Sequence, residues 1–272
     1  MYVTVAQFAA STDKEQNLSE AIALIETAAA RATGLVVLPE NAMFLDPDPK
    51  AEVGHAAEAL DGPFASAMSA AAGGAGVMVV AGMTEAPEPA AAGETRATNA
   101  VVAWDEDGSR VGVYRKVHLY DAFGHRESDR IRPHPPRALL FEREGLTFGV
   151  MTCYDLRFPE MARFLVDAGA DALVVPAAWV VGPAKEDHWM TLARSRAIEN
   201  TVYVLACGQT GPTCTGHSAV IDPMGQLVAS AGEMPGIATA WIDKDRVAQV
   251  RLKNPSLANR RFGVVPGGAA AG

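Results

Sequence analysis

The chain has 272 residues, 49% of them hydrophobic and 20% charged, with a formal charge of −9. That apolar content excludes a disordered chain, and the length suffices to bury a continuous core in one large domain or two small ones. No apolar run reaches the ~18 residues of a membrane span, and an acidic chain without a Lys/Arg cluster argues against nucleic-acid and anionic-membrane partners. The longest apolar stretch, Ala70 to Met83, is interrupted by Gly73, Gly74, Gly76 and Gly82. Met1-Tyr2-Val3 opens directly into a strand-like run with no secretory pattern. Cys153, Cys207 and Cys214 form no CxxC pair, so a reduced, cytoplasmic chain is expected.

Strand and helix signals alternate from the start. Tyr2–Phe8 is rich in β-formers, and Asp13 suits the cap of a helix in which Leu18, Ile22, Ile25 and Ala29 share a face. Leu35–Leu38 is wholly apolar, as expected of a strand buried on both faces. The pattern returns as a helix over Pro63–Ala72 with a strand over Val77–Val80, and as Phe158–Ala168 with Ala172–Val175. In the latter helix Pro159 suits the first turn and Gly169 the end. Three hairpins are interspersed: Asn99–Trp104 with Arg110–Tyr114, Leu139–Phe141 with Thr147–Met151, and Ser218–Ile221 with Gln226–Val228. Pro87–Gly93 reads as a surface loop and Pro266–Gly272 as a mobile tail unless a partner subunit holds it. Crossover helices combined with hairpins predict an α/β fold of mixed sheets covered by helices, in a single domain.

Three apolar runs end in a reactive side chain: Gly34–Pro39 leads to Glu40, Val111–Arg115 to Lys116, and Thr147–Thr152 to Cys153. Sites gather at the carboxyl ends of strands in α/β sheets, so a carboxylate, an ammonium and a thiol delivered this way could converge on one pocket. Spacing alone does not decide between convergence and coincidence. Cys153 precedes the expected helix, whose N-terminal dipole favours a thiolate, and a neighbouring Lys would lower its pKa further. Cys207 lies in the apolar strand Val202–Ala206 and reads as structural, and Cys214, in the loop Gly211–Gly216, as incidental. His118, His125 and His134 share a loop without a metal-binding motif, so no metal site is expected. His118, His188 and His217 are formal partners for a thiol, with capping or packing the ordinary role of His188 beside Trp189.

Leu38-Pro39-Glu40, Arg115-Lys116-Val117-His118-Leu119-Tyr120-Asp121 and Cys153-Tyr154-Asp155-Leu156-Arg157-Phe158-Pro159-Glu160 resemble, in order and spacing, the three signature blocks of the nitrilase superfamily of carbon–nitrogen hydrolases. His188-Trp189 through Asn200, Gly216-His217-Ser218 and Asp222-Pro223-Met224-Gly225 look like its later blocks, so the resemblance covers roughly Val3 to Arg251. It implies an α-β-β-α sandwich, with a hydrolase domain over residues 1–253 and a C-terminal tail over 254–272. It implies Cys153 as nucleophile, Glu40 as general base and acid, Lys116 with the backbone N–H of Tyr154 as oxyanion donors, and Glu127 as the acid that positions substrate and holds Lys116. Burial of Glu40 would move its pKa toward neutrality. No cofactor is implied, and relatives' habits imply a homodimer or larger homo-oligomer.

Within the superfamily the Cys153 block looks most like the ω-amidases and deaminated-glutathione amidases, which act on monoamides of dicarboxylic acids such as 2-oxoglutaramate. A carboxylate-bearing substrate needs a cation. Arg157 is the candidate, its other reading being a pair with Glu160 or Asp155. Trp179 resembles the position whose backbone helps bind that carboxylate. The segment from Lys116 to Glu127 is shorter than ω-amidases tend to carry, which bears on the choice of amide rather than on the reaction. An N-carbamoyl amino acid or aliphatic amidase is the alternative enzyme. A non-catalytic thiol sensor is the alternative of another class, disfavoured because a sensor needs no general base or oxyanion donor.

Overall fold

The computed structural model describes residues 1–48, 50–87 and 94–266. Strands β1 (Tyr2–Gln7), β2 (Thr33–Val37), β3 (Met78–Glu85), β4 (Thr98–Trp104) and β5 (Arg110–Arg115) build one sheet. A second is built from β6 (Leu139–Arg143), β7 (Leu146–Val150), β8 (Ala172–Ala177), β9 (Tyr203–Gly208), β10 (Ala219–Ile221) and β11 (Leu227–Ser230). From late in the chain β12 (Gly236–Trp241) returns to the first sheet, giving the orders β12-β1-β2-β3-β4-β5 and β11-β10-β9-β8-β7-β6. Both sheets are mixed: β1, β2 and β3 run parallel, as do β7, β8 and β9, while the remaining pairs are antiparallel.

The period-2 geometry of these strands explains the layering. Leu35 and Val37, Met78 and Val80, and Val101 and Ala103 face the second sheet's Phe148, Val150 and Leu205 across one core. Their neighbours Val36, Val79, Ala81 and Val102 point the other way, onto Ala21 and Ile25 of α1 (Lys14–Ala29) and Phe64 and Met68 of α2 (Pro63–Ala75). Both alternating sets are buried, which is why the strands read as unbroken apolar runs rather than alternating ones. On the far side, Met161 and Leu165 of α3 (Pro159–Asp167) and Trp189 and Ala193 of α4 (Lys185–Asn200) cover the second sheet. Each fully buried Leu, Val or Phe contributes about 1.5–3 kcal/mol relative to exposure, so the double-faced strands leave little alternative to this α-β-β-α sandwich. Cys207 spans the core: its thiol donates to Val37 O at 3.0 Å, from one sheet to the backbone of the other.

The local signals operate as read. The Asp13 carboxylate accepts from Glu15 N and Gln16 N, and Pro159 opens α3. The Asp222–Gly225 turn closes through Gly225 N to Asp222 O at 2.8 Å. The expected loop Pro87–Gly93, except Pro87, and the tail beyond Pro266 lie outside the described residues. Two elements carry no clear sequence signal: β12, and α5 (Lys244–Lys253), in which Val247 and Val250 are the buried residues. The expected helix Phe158–Ala168 is α3, but Cys153 does not precede it directly. Cys153 instead opens a separate 3₁₀ turn, Cys153–Arg157. Among the described residues no helix is long and apolar enough to cross a membrane.

Candidate active site

The sheet topology brings the chain-distant candidates to one end of the sandwich. Glu40 lies three residues beyond β2, Lys116 directly after β5 and Cys153 three residues beyond β7. Because β4 is antiparallel to β3 and β5, its opening residues sit at that same end: Asn99 pairs with Thr84, and Lys116 N donates to Asn99 O at 2.9 Å. Glu40 is set by close backbone approach. Gly82 N donates to Pro39 O at 3.0 Å, and a Cβ on Gly82 would stand 2.5 Å from Glu40 Cα. Gln209 Nε2 holds Glu40 O at 3.0 Å, and Asn17 Nδ2 holds Met43 O at 3.0 Å in the loop that follows.

Lys116, only 2% exposed, joins two carboxylates: its Nζ lies 2.8 Å from Glu40 Oε1 and 2.9 Å from Glu127 Oε2. Glu127 is thus part of the cluster rather than a loose loop acid. It also accepts from Tyr120 N at 2.6 Å, which folds the short loop back onto the site. Asn99 Nδ2 donates to Glu40 Oε1 at 2.7 Å and to Glu127 Oε1 at 3.2 Å, and Ala178 N donates to Glu40 Oε2 at 2.7 Å. One cation therefore sits between two acids whose oxygens are oriented by neutral donors, the arrangement that burial of like charges requires. Neither Asn99 nor Ala178 belongs to a motif that marks it as a site residue in the sequence. Asn99 lies within an expected strand, and its only signal is a carboxamide at the active-site end of an otherwise apolar run.

Cys153 has φ +47°, in the left-handed region that costs a non-glycine residue about 1–3 kcal/mol. Its neighbours enforce that conformation. Asp155 Oδ2 accepts from Thr152 N at 2.9 Å and from Tyr114 OH at 2.6 Å, and Thr152 Oγ1 donates to Pro176 O at 2.8 Å. His118 Nδ1 lies 2.8 Å from Asp155 Oδ1, with its ring stacked on Phe158. Tyr154, second in the 3₁₀ turn, carries an N–H that has no carbonyl partner within the turn.

Two electrostatic expectations are corrected. The Cys153 thiol lies well above its ordinary pKa, because burial and the Glu40 carboxylate oppose a thiolate more than Lys116 favours one. Glu40 lies below the usual carboxylate range rather than near neutrality. Burial raises it, but the Lys116 charge and hydrogen bonds from Lys116, Cys153 and Ala178 N together outweigh burial. Lys116 is held well above its ordinary value, since Glu127, Glu40 and Cys153 outweigh its desolvation. At rest Cys153 is thus a neutral thiol beside the ionised Glu40, each shifting the other's pKa. His188 lies beside Arg157, and His217 offers its carbonyl to Trp189 Nε1 at 3.1 Å. Among the described residues no group of three or more His, Cys, Asp or Glu could hold a metal.

On the other side of Cys153 stand Arg157 and Trp179. Arg157 pairs with neither Asp155, which Tyr114, His118 and Thr152 occupy, nor Glu160. Its guanidinium lies 4.9 Å from the Trp179 ring centroid and 3.3 Å from His188 Nδ1, with Nε buried and unbonded. The Trp179 ring faces the Arg157 guanidinium, its carbonyl accepts from Thr215 N at 2.9 Å, and its Nε1 donates to Lys185 O at 2.7 Å. A cavity of about 240 Å³ opens beside Cys153, Glu40 and Lys116, walled by Phe44, Ile131 and Cys214. Cys214 is therefore a buried wall residue, its thiol pushed up to about 12 by burial.

The carbon-nitrogen hydrolase family model matches residues 2–252. The chain is 40% identical over 263 residues to the deaminated glutathione amidase of Escherichia coli O157:H7, covering 96% of this chain and 98% of that one. Nit3 of Saccharomyces cerevisiae, a member of branch 10 of the nitrilase superfamily, superimposes with a TM-score of 0.83 at 31% identity over 96% of this chain and 97% of its own. The NitFhit protein of C. elegans gives a TM-score of 0.86 at 30% identity, covering 96% of this chain and 65% of that longer chain. With its whole sandwich shared and its sequence matched almost end to end, the chain belongs to the carbon–nitrogen hydrolase family of the nitrilase superfamily and is a hydrolytic enzyme that acts on amides.

Proposed function

We propose that the protein is a cofactor-free cysteine amidase that hydrolyses a small carboxylate-bearing amide, an ω-amidase acting on 2-oxoglutaramate or a related 2-oxo acid monoamide. The observation that carries this reading is the setting of Cys153, which lies between the Glu40–Lys116–Glu127 cluster and an Arg157 guanidinium that has no carboxylate partner among the described residues.

Cys153 Sγ attacks the amide carbonyl carbon as its proton passes to Glu40, whose low pKa keeps it ready as a base. The tetrahedral oxyanion is held by Lys116 Nζ and Tyr154 N–H. Glu40 returns the proton to the amine nitrogen, the C–N bond breaks, and a thioester on Cys153 remains as the amine departs. Water then gives a proton to Glu40 and attacks the thioester carbon. Collapse releases the carboxylic acid and returns that proton to sulfur. Glu127 holds Lys116 in place throughout, and Arg157 receives the substrate carboxylate.

The 240 Å³ cavity favours a second form of the same reading, since it can accept a leaving amine larger than ammonia. The Escherichia coli O157:H7 relative is named for deaminated glutathione, a 2-oxo acid amide whose leaving group is a dipeptide. Ammonia release from 2-oxoglutaramate by the wild type and by Cys153→Ala tests the proposal, with deaminated glutathione, N-carbamoyl amino acids and simple aliphatic amides assayed alongside. Turnover of the 2-oxo acid amides that vanishes in the variant is expected. Preference for an uncharged or N-carbamoyl compound would transfer the assignment to the alternative amidase classes.

A further inference from the structure

Lys185, the first residue of α4, is only 5% exposed. Burying an ammonium costs several kcal/mol unless an acid or equivalent partners compensate. Among the described residues no carboxylate lies within ion-pairing distance of Lys185. Its Nζ bonds Tyr120 OH at 3.0 Å and lies 4.8 Å from the Tyr120 and Phe123 ring centroids and 5.0 Å from that of Trp179. The Arg157 guanidinium shares two of those rings, at 4.9 Å from Trp179 and 5.4 Å from Phe123. Two like charges are therefore packed onto one aromatic wall, and burial and then Arg157 hold Lys185 below its ordinary pKa. Both side chains, with Cys153, Tyr154 and Ala178, line one narrow space of about 10 Å³. Cation–π contacts offset about 0.5–2 kcal/mol of this, which leaves the pair short of an anionic or strongly accepting guest.

Arg157 alone can hold a carboxylate through two parallel N–H bonds, so a second buried cation implies another acceptor next to that carboxylate. We infer that Lys185 is a specificity-determining residue: it receives the 2-oxo oxygen of a substrate whose adjacent carboxylate rests on Arg157, and so selects 2-oxo acid amides over the plain dicarboxylic monoamides. This inference rests on the placement of the acyl carboxylate at Arg157 in the reading above.

The test compares 2-oxoglutaramate with glutaramate, which has a methylene in place of the oxo group, on the wild type, Lys185→Met and Lys185→Arg. A charged hydrogen bond is worth about 1.5–3 kcal/mol, so the wild type should prefer the oxo substrate by ~10–100-fold in kcat/KM. Lys185→Met should collapse that ratio toward one, chiefly through KM, and Lys185→Arg should keep part of it. A ratio unchanged in Lys185→Met, with both substrates falling together, would overturn the inference and leave Lys185 a packing residue. A measurement needing no variant stands beside it: 2-oxoglutarate should inhibit or bind the wild type more tightly than glutarate, and equal affinities would also overturn the inference. If the wild type binds the two acids unequally but hydrolyses neither amide, the amidase reading fails while the subsite stands.

Discussion

Lys116 and Glu127 are bound to each other as closely as Lys116 and Glu40 are, at 2.9 Å and 2.8 Å, so the ammonium belongs to both acids at once. A lysine so placed is fixed in space before any substrate arrives, as a preorganised oxyanion donor must be. It also leaves the cluster with one negative charge in excess. Removing the cation should therefore harm folding as well as chemistry.

Lys116→Met is expected to lower kcat on the order of 10²–10³-fold, the usual effect of losing one oxyanion donor. It should also destabilise the fold by about 3–5 kcal/mol, because the buried Glu40 and the partly buried Glu127 are left without their partner. Steady-state assays with urea unfolding check both. Wild-type stability in the variant would mean that Glu40 and Glu127 do not depend on Lys116.

Asn99 is the neutral half of the same arrangement, donating to Glu40 and to Glu127. Each bond to a charged group is worth about 1.5–3 kcal/mol, so Asn99→Leu should reduce kcat on the order of 10–100-fold while KM changes little. An equal rise in KM would indicate that Asn99 acts on substrate rather than on the acids.

Gly82 controls Glu40 through the backbone. A Cβ would stand 2.5 Å from Glu40 Cα and 2.8 Å from Asn41 N, and neither can yield without moving the carboxylate. Gly82→Ala should retain the circular dichroism of the folded chain yet lose roughly 10–100-fold in kcat, since displacements of about 1 Å have effects of that size. Full activity would show that Glu40 tolerates displacement.

The raised pKa of Cys153 has a definite sign. A thiol that binds its proton more tightly than usual is neutral at pH 7, and its thiolate fraction grows only as pH rises through the alkaline range. Alkylation of the free enzyme by iodoacetamide should accordingly be slow at pH 7 and climb with pH, with no plateau below the ordinary thiol range of about 8–9. A plateau below pH 7 would indicate a thiolate–imidazolium-like resting state instead.

The strand ends carrying Glu40, Lys116 and Cys153 are legible in the sequence because each strand is a short apolar run closed by a polar residue. The layered α/β fold is legible for the same reason. What is not legible depends on contacts between distant residues. β12 pairs with β1 across almost the whole chain and is only half buried, so Gly236–Trp241 has no run of its own. α5 is largely charged, with just Val247 and Val250 buried. The pKa directions of Glu40 and Cys153 depend on Lys116, Ala178 N and each other, which residue types alone cannot weigh. Lys185 carries no signal of its own in the sequence, because its setting is made by Trp179, Tyr120 and Arg157 from other parts of the chain.

The claim on which the mechanism turns is a thioester on Cys153, common to every substrate with the same acyl group. Hydroxylamine competes with water for such an intermediate, forming a hydroxamate. The most direct measurement is the ratio of hydroxamate to free acid from 2-oxoglutaramate and from its N-methyl amide at one hydroxylamine concentration. The same ratio from both substrates, with neither product from Cys153→Ala, is predicted because the leaving amine has gone before partitioning begins. A ratio that changes with the leaving amine, or products that persist without the thiol, would contradict it.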